Sequence, residues 1–527
     1  MDVTSEQRSH RLERTRYDVV VVGGGHNGLV AAAYLAGAGL SVALLERGER
    51  TGGAAVSSRA FAGRDVRLSR YSYLVSLMPQ QVVDDLGLDL RLVSRPTASY
   101  SPYRRDGRDA GLMVERREGA VTADSFAALT GGTDEYAAWQ AFYAEVAELA
   151  HVVAPSLTRP LPRVEEVAAQ VPDQVWRDVV EQPLGAAIER RFSDDLVRGV
   201  VGTDALIGTF ASLHDPSLVQ NRCFLYHLIG NGTGEWRVPV GGMGAVTDAL
   251  RAAAERAGAE ILTSAEVVRV ASEEVTFADA DGRHTVGARF VLSGVAPWTL
   301  AHLIGEEGLA PVKPQGSQLK INLLLDRLPR LASGEDPALA FAGTLHLNEG
   351  AEQLERAYAE AAAGRVPTDL PGEVYCHSLT DPSILGDLEG TGAHTLTYFG
   401  LHTPAALFDD PAARQVALDR AIASIDAVLA EPLRSVVATD ADGEPCIEAK
   451  VPQDVERDLA MPGGHIFHGD LEWPWAPSRA ALDTPERAWG VETSLPQVLL
   501  CGSGARRGGA VSGIGGHNAA QAVLASI

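Results

Sequence analysis

Short apolar runs and Gly-rich turns alternate along the chain, and the sharpest alternation comes first. Residues 17–22 (YDVVVV) are a β-branched run of buried-strand length. A turn of four glycines in six positions, Gly23 to Gly28, follows it. Residues 29–38 are Ala-rich and apolar at helical spacing, and Gly39 stops them. Residues 41–45 (SVALL) predict a second strand that ends in Glu46. The same reading predicts helices over 123–149, 175–206, 245–257, 351–363 and 412–429, with a Pro-punctuated linker at 155–172. It predicts further strands at 260–262, 267–270, 290–292, 319–325 and 498–501. The last runs into a Gly-rich loop at Gly502 and a helix over about 515–526. The pattern is α/β: one nucleotide-binding body written in three pieces, with two insertions that together make a second body.

Composition narrows the function classes. The 527 residues exceed one simple domain. Acidic residues outnumber basic ones 69 to 45, a net charge of -24, which excludes a duplex nucleic-acid binder and a polybasic membrane anchor. Only three of the 45 bases are Lys: Lys313, Lys320 and Lys450. The four cysteines form no C-x-x-C and no metal-ligand spacing, so neither a disulfide framework nor a metal site is expected, and a reducing cytoplasm is the expected location. No apolar run is long enough to span a bilayer, and residues 1–16 lack the apolar segment of a secretory signal, which predicts a flexible arm.

Gly23-x-Gly25-x-x-Gly28 sits between a predicted strand and a predicted helix. Gly23 permits the tight turn, Gly25 lets backbone approach a pyrophosphate, and Gly28 lets helix and strand pack closely. The helix N-terminus then offers free N–H groups to phosphate. Glu46 ends the next strand, where a carboxylate accepts both ribose hydroxyls and repels a 2′-phosphate. The pair Gly52-Gly53 points to FAD rather than NAD, because it lets the chain pass beside the phosphates and ribityl of the flavin dinucleotide.

These strings, together with RYSYLVSL at 70–77, VPVGGMGAVTDAL at 238–250 and CGSGARRGGAVSGIGGHNAA at 501–520, resemble the phytoene-desaturase-like branch of the FAD-dependent amine-oxidase superfamily. Within it the chain is most similar to the pyridine-nucleotide-disulphide oxidoreductase domain-containing protein 2 group. The resemblance runs from Tyr17 to the C-terminus and is weakest in the insertions. It implies a discontinuous Rossmann-like FAD-binding domain (17–110, 236–305 and 456–527) with an inserted α+β substrate-binding domain (111–235 and 306–455). It implies FAD-binding roles for Gly23, Gly25, His26, Asn27, Gly28, Glu46, Arg47, Gly52, Gly53 and Ala54. Val267 would pair its backbone with adenine. Gly502, Gly504, Val511, Ser512 and Gly513 would carry the ribityl and flavin ring, with a helix dipole at the flavin's anionic edge. Arg506-Arg507 replaces a stretch where the family often has Pro, and Arg506 is a candidate for an acidic substrate. The absence of a Cys pair argues against disulfide chemistry. The Gly241-Gly242-Met243-Gly244 turn is the one candidate for a second dinucleotide site, and its following strand is assigned to the FAD body.

Flavin accepts hydride, so the protein need only orient a substrate and take a proton. Lys320 is a catalytic candidate because it stands in an apolar strand of a chain that otherwise uses Arg, and a buried Lys can lose its proton. His468 is a candidate as the usual shuttle near neutral pH, with His465 beside it. Tyr73 and Tyr71 lie in the segment that the resemblance runs past the flavin, and Trp473 and Trp475 are candidate cavity walls. The expected activity is a desaturase or dehydrogenase, moving hydride from a C–C or C–N bond of a small or lipid-like metabolite to flavin, with O₂ or a quinone as electron acceptor. An amine or amino-acid oxidase, a reduced-flavin isomerase and a non-catalytic flavin-bearing regulator are the alternatives. A homodimer and peripheral membrane contact are compatible with the sequence.

Overall fold

The computed structural model describes residues 11–232 and 234–527, so the first ten positions of the expected arm lie outside the described residues. Two seven-stranded sheets organise the chain. In the first, Arg16–Val22 is flanked by Val42–Leu45 and Gly282–Ser293, both parallel to it. Glu260–Leu262 extends the sheet beyond Val42–Leu45, and Val498–Leu500 pairs in parallel with the end of Gly282–Ser293. A hairpin of Glu266–Val270 and Glu274–Asp279 lies antiparallel on its early half. Three separate stretches of sequence therefore build one Rossmann-like body, as the apolar runs implied.

The parallel strands end on one line. Leu262, Leu45, Val22, Ser293 and Leu500 are register partners in turn. The next residues along each parallel strand, among them Glu46, Gly23, Gly294 and Cys501, leave from the same sheet edge, where open α/β sheets hold ligands. Alternation sorts the rest: Val19 and Val21 pack with Leu29 and Ala32 of helix His26–Gly37 and with Ala519 of helix Ile514–Ala525, while Val20 and Val22 face Leu300 on the other side. The two helices touch backbone to backbone. A Cβ on Gly516 would stand 1.9 Å from the Asn27 carbonyl oxygen.

The second sheet runs Ile447–Lys450, Ser317–Leu325, His394–Pro404, Gly372–Tyr375, Thr344–Leu347, Thr97–Arg105, Arg108–Glu115. Pairing is antiparallel except between Thr344–Leu347 and Thr97–Arg105. One face (Leu319, Ile321, Leu323, Leu345, Val374, Tyr398) packs on Ala417 and Ala421 of helix Ala412–Asp426. The other face looks toward the first body. Helices Ala120–Thr130, Asp134–Val153 and Val219–Ile229 close over it around Phe126, Trp139, Phe142 and Phe224.

The structure departs from the predicted elements in several places, among them the expected linker at 155–172, which contains the short helix Val164–Ala168. The helix expected over 123–149 breaks at Gly131, which sits at φ +79 as the C-cap of its first half. The helix expected over 175–206 is cut into pieces: Pro183 precedes Leu184–Arg191, and the Asp194 carboxylate caps Asp195–Thr203 by accepting from the Leu196 and Val197 N–H groups. The expected division at residue 110 falls inside the hairpin of Thr97–Arg105 and Arg108–Glu115, and its pairing with Thr344–Leu347 puts the whole hairpin in the second sheet. Among the described residues no helix is long and apolar enough to cross a membrane.

Gly516→Ala forces the terminal helix away from Asn27. It is expected to cost about 1–3 kcal/mol, the usual penalty of overpacking, read as a lower midpoint in chemical denaturation.

Candidate functional site

The glycine turn is shaped by contacts inside the first body. Gly23 takes φ +97, and a Cβ on Gly28 would meet the Gly23 carbonyl oxygen at 2.2 Å. A Cβ on Gly25 would meet nothing within 4 Å, because that side opens on a cavity. Glu46 is held by backbone: Oε2 accepts from Gly24 N–H and Oε1 from Gly48 N–H, both at 2.7 Å. Gly52, at φ +129, donates its N–H to the Gly24 carbonyl at 2.8 Å, and Gly53 packs on the Gly25 Cα. The Gly pair thus buttresses the glycine turn.

The C-terminal loop closes over the same turn. His26 Nε2 lies 3.1 Å from the Ala510 carbonyl oxygen, which only accepts, so that nitrogen carries the proton. Asn27 Nδ2 donates to the Gly508 carbonyl at 3.4 Å, and its buried Oδ1 has no protein partner. Burial pushes His26 down to about 4, so its ring is neutral. Gly513 caps helix Ile514–Ala525 at φ +74, and Ser512 Oγ accepts from the Ile514 N–H at 3.2 Å.

These loops border a cavity of about 930 Å³ between the first body, the second sheet and the helical layer. Its wall includes Gly23, Gly25, His26, Asn27, Gly28, Glu46, Arg47, Gly53, Ala54, Val267, Gly502 and Val511 from the expected cofactor set, and Tyr71, Tyr73, Lys320 and His468 from the expected reacting centre. Gly52, Gly504, Ser512 and Gly513 stand behind that wall. A Cβ on Gly504 would strike Pro297 at 2.4 Å.

The cavity floor is one transverse row of the second sheet. Lys450, Lys320, Phe399, Glu373 and His346 are successive register partners across five strands, and all five line the cavity. Lys320 Nζ donates to the carbonyl oxygens of Ser69 and Tyr71, at 2.8 and 2.5 Å, and lies 4.6 Å from the centre of the Tyr73 ring. Burial holds its pKa well below the ordinary ammonium range, against a smaller opposing pull from Glu448. Tyr73 packs against Tyr375 at 4.7 Å and Phe399 at 6.1 Å, and burial raises its phenol far above the usual value. Lys450 Nζ and the Tyr71 hydroxyl both donate to Asp458 Oδ2, at 2.7 and 2.9 Å.

Other expected residues behave differently. His468 faces the cavity with Nδ1 unpartnered, but burial, then His465 and His26, push its pKa to about 3, so it is a poor base near neutrality. His465 lies off the wall, its Nδ1 accepting from the Phe467 N–H. Trp473 stacks on Trp475 at 5.0 Å within the helical core and does not line the cavity. Arg506 pairs with Glu472 and donates to the Trp475 carbonyl, away from the cavity. Arg507 is wholly buried and ties the carbonyls of Ser156, Arg159 and Trp489 together. The Gly241–Gly244 turn donates its N–H groups to Asp381, Ser69 and Ser57.

Sequence reading missed Lys450, Arg95, His346, Glu373 and Tyr375, all on the wall. The rarity of Lys that marked Lys320 would also have marked Lys450. A Glu within the apolar string GEVYC was a second signal.

The residues fit a flavin dinucleotide. An open Cα at Gly25, a carboxylate at the second strand's end and a buried unpaired Asn27 oxygen face the same space. Comparison with known proteins agrees. The model of the flavin containing amine oxidoreductase family matches residues 28–419. An uncharacterised protein of Mycobacterium tuberculosis is 51% identical over 525 residues, 97% of each chain. The rat pyridine nucleotide-disulfide oxidoreductase domain-containing protein 2 is 31% identical over 568 residues, covering 97% of this chain and 94% of its own. A solved putrescine oxidase shares the fold at 18% identity with a TM-score of 0.58, over 97% of this chain and 99% of its own. With strand ends, glycine turn and C-terminal loop meeting at one cavity, the chain belongs to the flavin containing amine oxidoreductase family, and its cofactor is FAD.

Proposed function

We propose that the protein is a dehydrogenase that oxidises a C–C or C–N bond of a small molecule, with Lys320 at the reacting end of the cavity. Bound FAD supplies the hydride acceptor. The observation that carries this reading is Lys320: a buried amine on the cavity wall, fixed by two backbone carbonyls. A neutral amine satisfies those carbonyls with its two hydrogens and keeps a lone pair. It then holds a water, or takes the proton that the substrate loses, directly or through that water. Tyr73 stays protonated and shapes the space beside it. Glu46 and the glycine turn hold the ribose and pyrophosphate. O₂ or a quinone reoxidises the flavin.

The aromatic cluster of Tyr73, Tyr375 and Phe399 beside Lys320 favours a second reading within the same class, oxidation of an amine or amino acid. A polar, lysine-bearing cavity argues against a non-catalytic scaffold.

Anaerobic mixing of the FAD-loaded protein with a panel of small amines, amino acids and carboxylic acids is expected to bleach the flavin with at least one of them. Lys320→Met should slow that bleaching by on the order of 10²-fold or more while FAD stays bound. Equal rates would remove Lys320 from the reaction. The wild-type rate should rise with pH as Lys320 gives up its proton, reaching a plateau below the ordinary ammonium range of about 10.4, and the Lys320→Met profile should lack that limb. Glu46→Gln should weaken FAD retention in ultrafiltration by about 10- to 100-fold, the loss expected for a hydrogen bond to a charged group. Unchanged retention would refute the ribose role.

A further inference from the structure

One end of the cavity has so far no task. Arg95, Ser99, Thr344, His346, Glu373 and Tyr375 form its wall. His346 Nδ1 lies 2.5 Å from Glu349 Oε2. Burial opposes charge on the ring, yet Glu349 beside it raises its pKa above the ordinary value, so the two form an internally neutral ion pair. Glu373 accepts a hydrogen bond from the Tyr375 hydroxyl. Burial and then the Glu349 charge push its carboxyl up, toward the uncharged form.

Arg95 is left over. It is 5% exposed. Its guanidinium lies 5.7 Å from the centre of the Tyr375 ring, Nη1 donates to Thr344 Oγ1 at 3.3 Å, and Nε has no protein partner. No carboxylate stands within ion-pair distance of it among the described residues: burial disfavours its charge, the nearby charge of Arg116 opposes it, and Glu373 supports it only from farther off. Arg507 is the contrast: also buried and also with an unpartnered Nε, it donates through its terminal nitrogens to three carbonyls and serves as a tie. A guanidinium always carries its charge and has five N–H donors, and leaving both charge and donors unmatched in a buried site is costly. A ligand anion relieves that cost. The flat fork of Arg suits a carboxylate, which it binds through two parallel hydrogen bonds.

We infer that Arg95 is the binding site for a carboxylate on the substrate, so the compound oxidised is a small carboxylic acid whose acid group sits at the Arg95 end and whose reacting carbon sits at the Lys320 end. The assignment of ends rests on the dehydrogenase reading above. The packed rings of Tyr73 and Tyr375 lie between them, which suits an apolar or aromatic middle portion.

Benzoate, benzamide and benzylamine separate the possibilities by charge at nearly constant shape. Each is titrated into FAD-loaded wild type, Arg95→Met and Arg95→Lys, following the visible flavin spectrum and the melting temperature. Benzoate should bind wild type more tightly than the other two. Arg95→Met should weaken benzoate at least tenfold, Arg95→Lys should retain part of the affinity, and benzamide and benzylamine should be indifferent to both changes. Without ligand, Arg95→Met should melt at or above the wild-type temperature, because an uncompensated buried cation has been removed. Benzoate affinity untouched by Arg95→Met, wild-type preference for benzylamine, or a clear fall in the ligand-free melting temperature would each overturn the proposal; the last would make Arg95 a structural tie like Arg507. No bleaching of the wild type by any compound of the panel, with benzoate still bound through Arg95, would sink the dehydrogenase reading alone.

Discussion

The whole site hangs on a contact with no side chain in it. The Asn27 carbonyl and the Gly516 Cα approach so closely that a methyl group cannot pass between them. Through that contact the first helix and the last lie side by side on one face of the parallel sheet, and the loop before the last helix is brought over the glycine turn. Small residues on both helices make the approach tolerable: Ala31, Ala32, Ala519 and Ala520 are all fully buried. Apolar burial drives the packing, but the lack of side-chain volume sets the spacing. A cofactor groove bounded by residues hundreds of positions apart therefore depends on one point of backbone proximity.

The cofactor half of the site was readable because its determinants are local. Strand, Gly23–Gly28 turn, helix and Glu46 fall within one continuous segment, and each position has a backbone reason to be what it is. Lys320 was readable for another reason, its rarity in a chain of arginines. Arg95, Glu373 and His346 offered no such handle. Two of them join Lys320 only through register, Glu373 across two successive pairings and His346 across three, a relation that no linear spacing encodes. Arg506 and Trp473 misled because position near a cofactor loop says nothing about direction: both side chains turn into the helical body. The expected division at residue 110 cut the hairpin of Thr97–Arg105 and Arg108–Glu115 in two because its partner strand comes from far along the chain.

Electrostatics divide the molecule in an uneven way. The chain carries a net charge of -24, yet two of its three lysines, with Arg47, Arg50, Arg95 and Arg116, border the cavity. The cations there are treated differently. Lys450 is matched by Asp458, Arg47 meets two backbone carbonyls, and burial disfavours charge on Lys320. Arg95 has none of these outlets, which is why it stands out from the forty or so arginines around it.

The transverse row from Lys450 to His346 also bears on how such a protein can change over time. Each strand contributes a residue to the row, while its immediate neighbours, such as Leu319, Ile321, Val374, Tyr398 and Leu345, point the opposite way into the helix-backed core. Replacing one member of the row alters what the floor recognises and leaves the packed side untouched. Adding or deleting a single residue within a strand does the reverse, turning floor into core from that point on. Descendants of this scaffold are therefore free to acquire new preferences by exchange at a handful of positions, whereas insertions and deletions should be confined to the connections between strands.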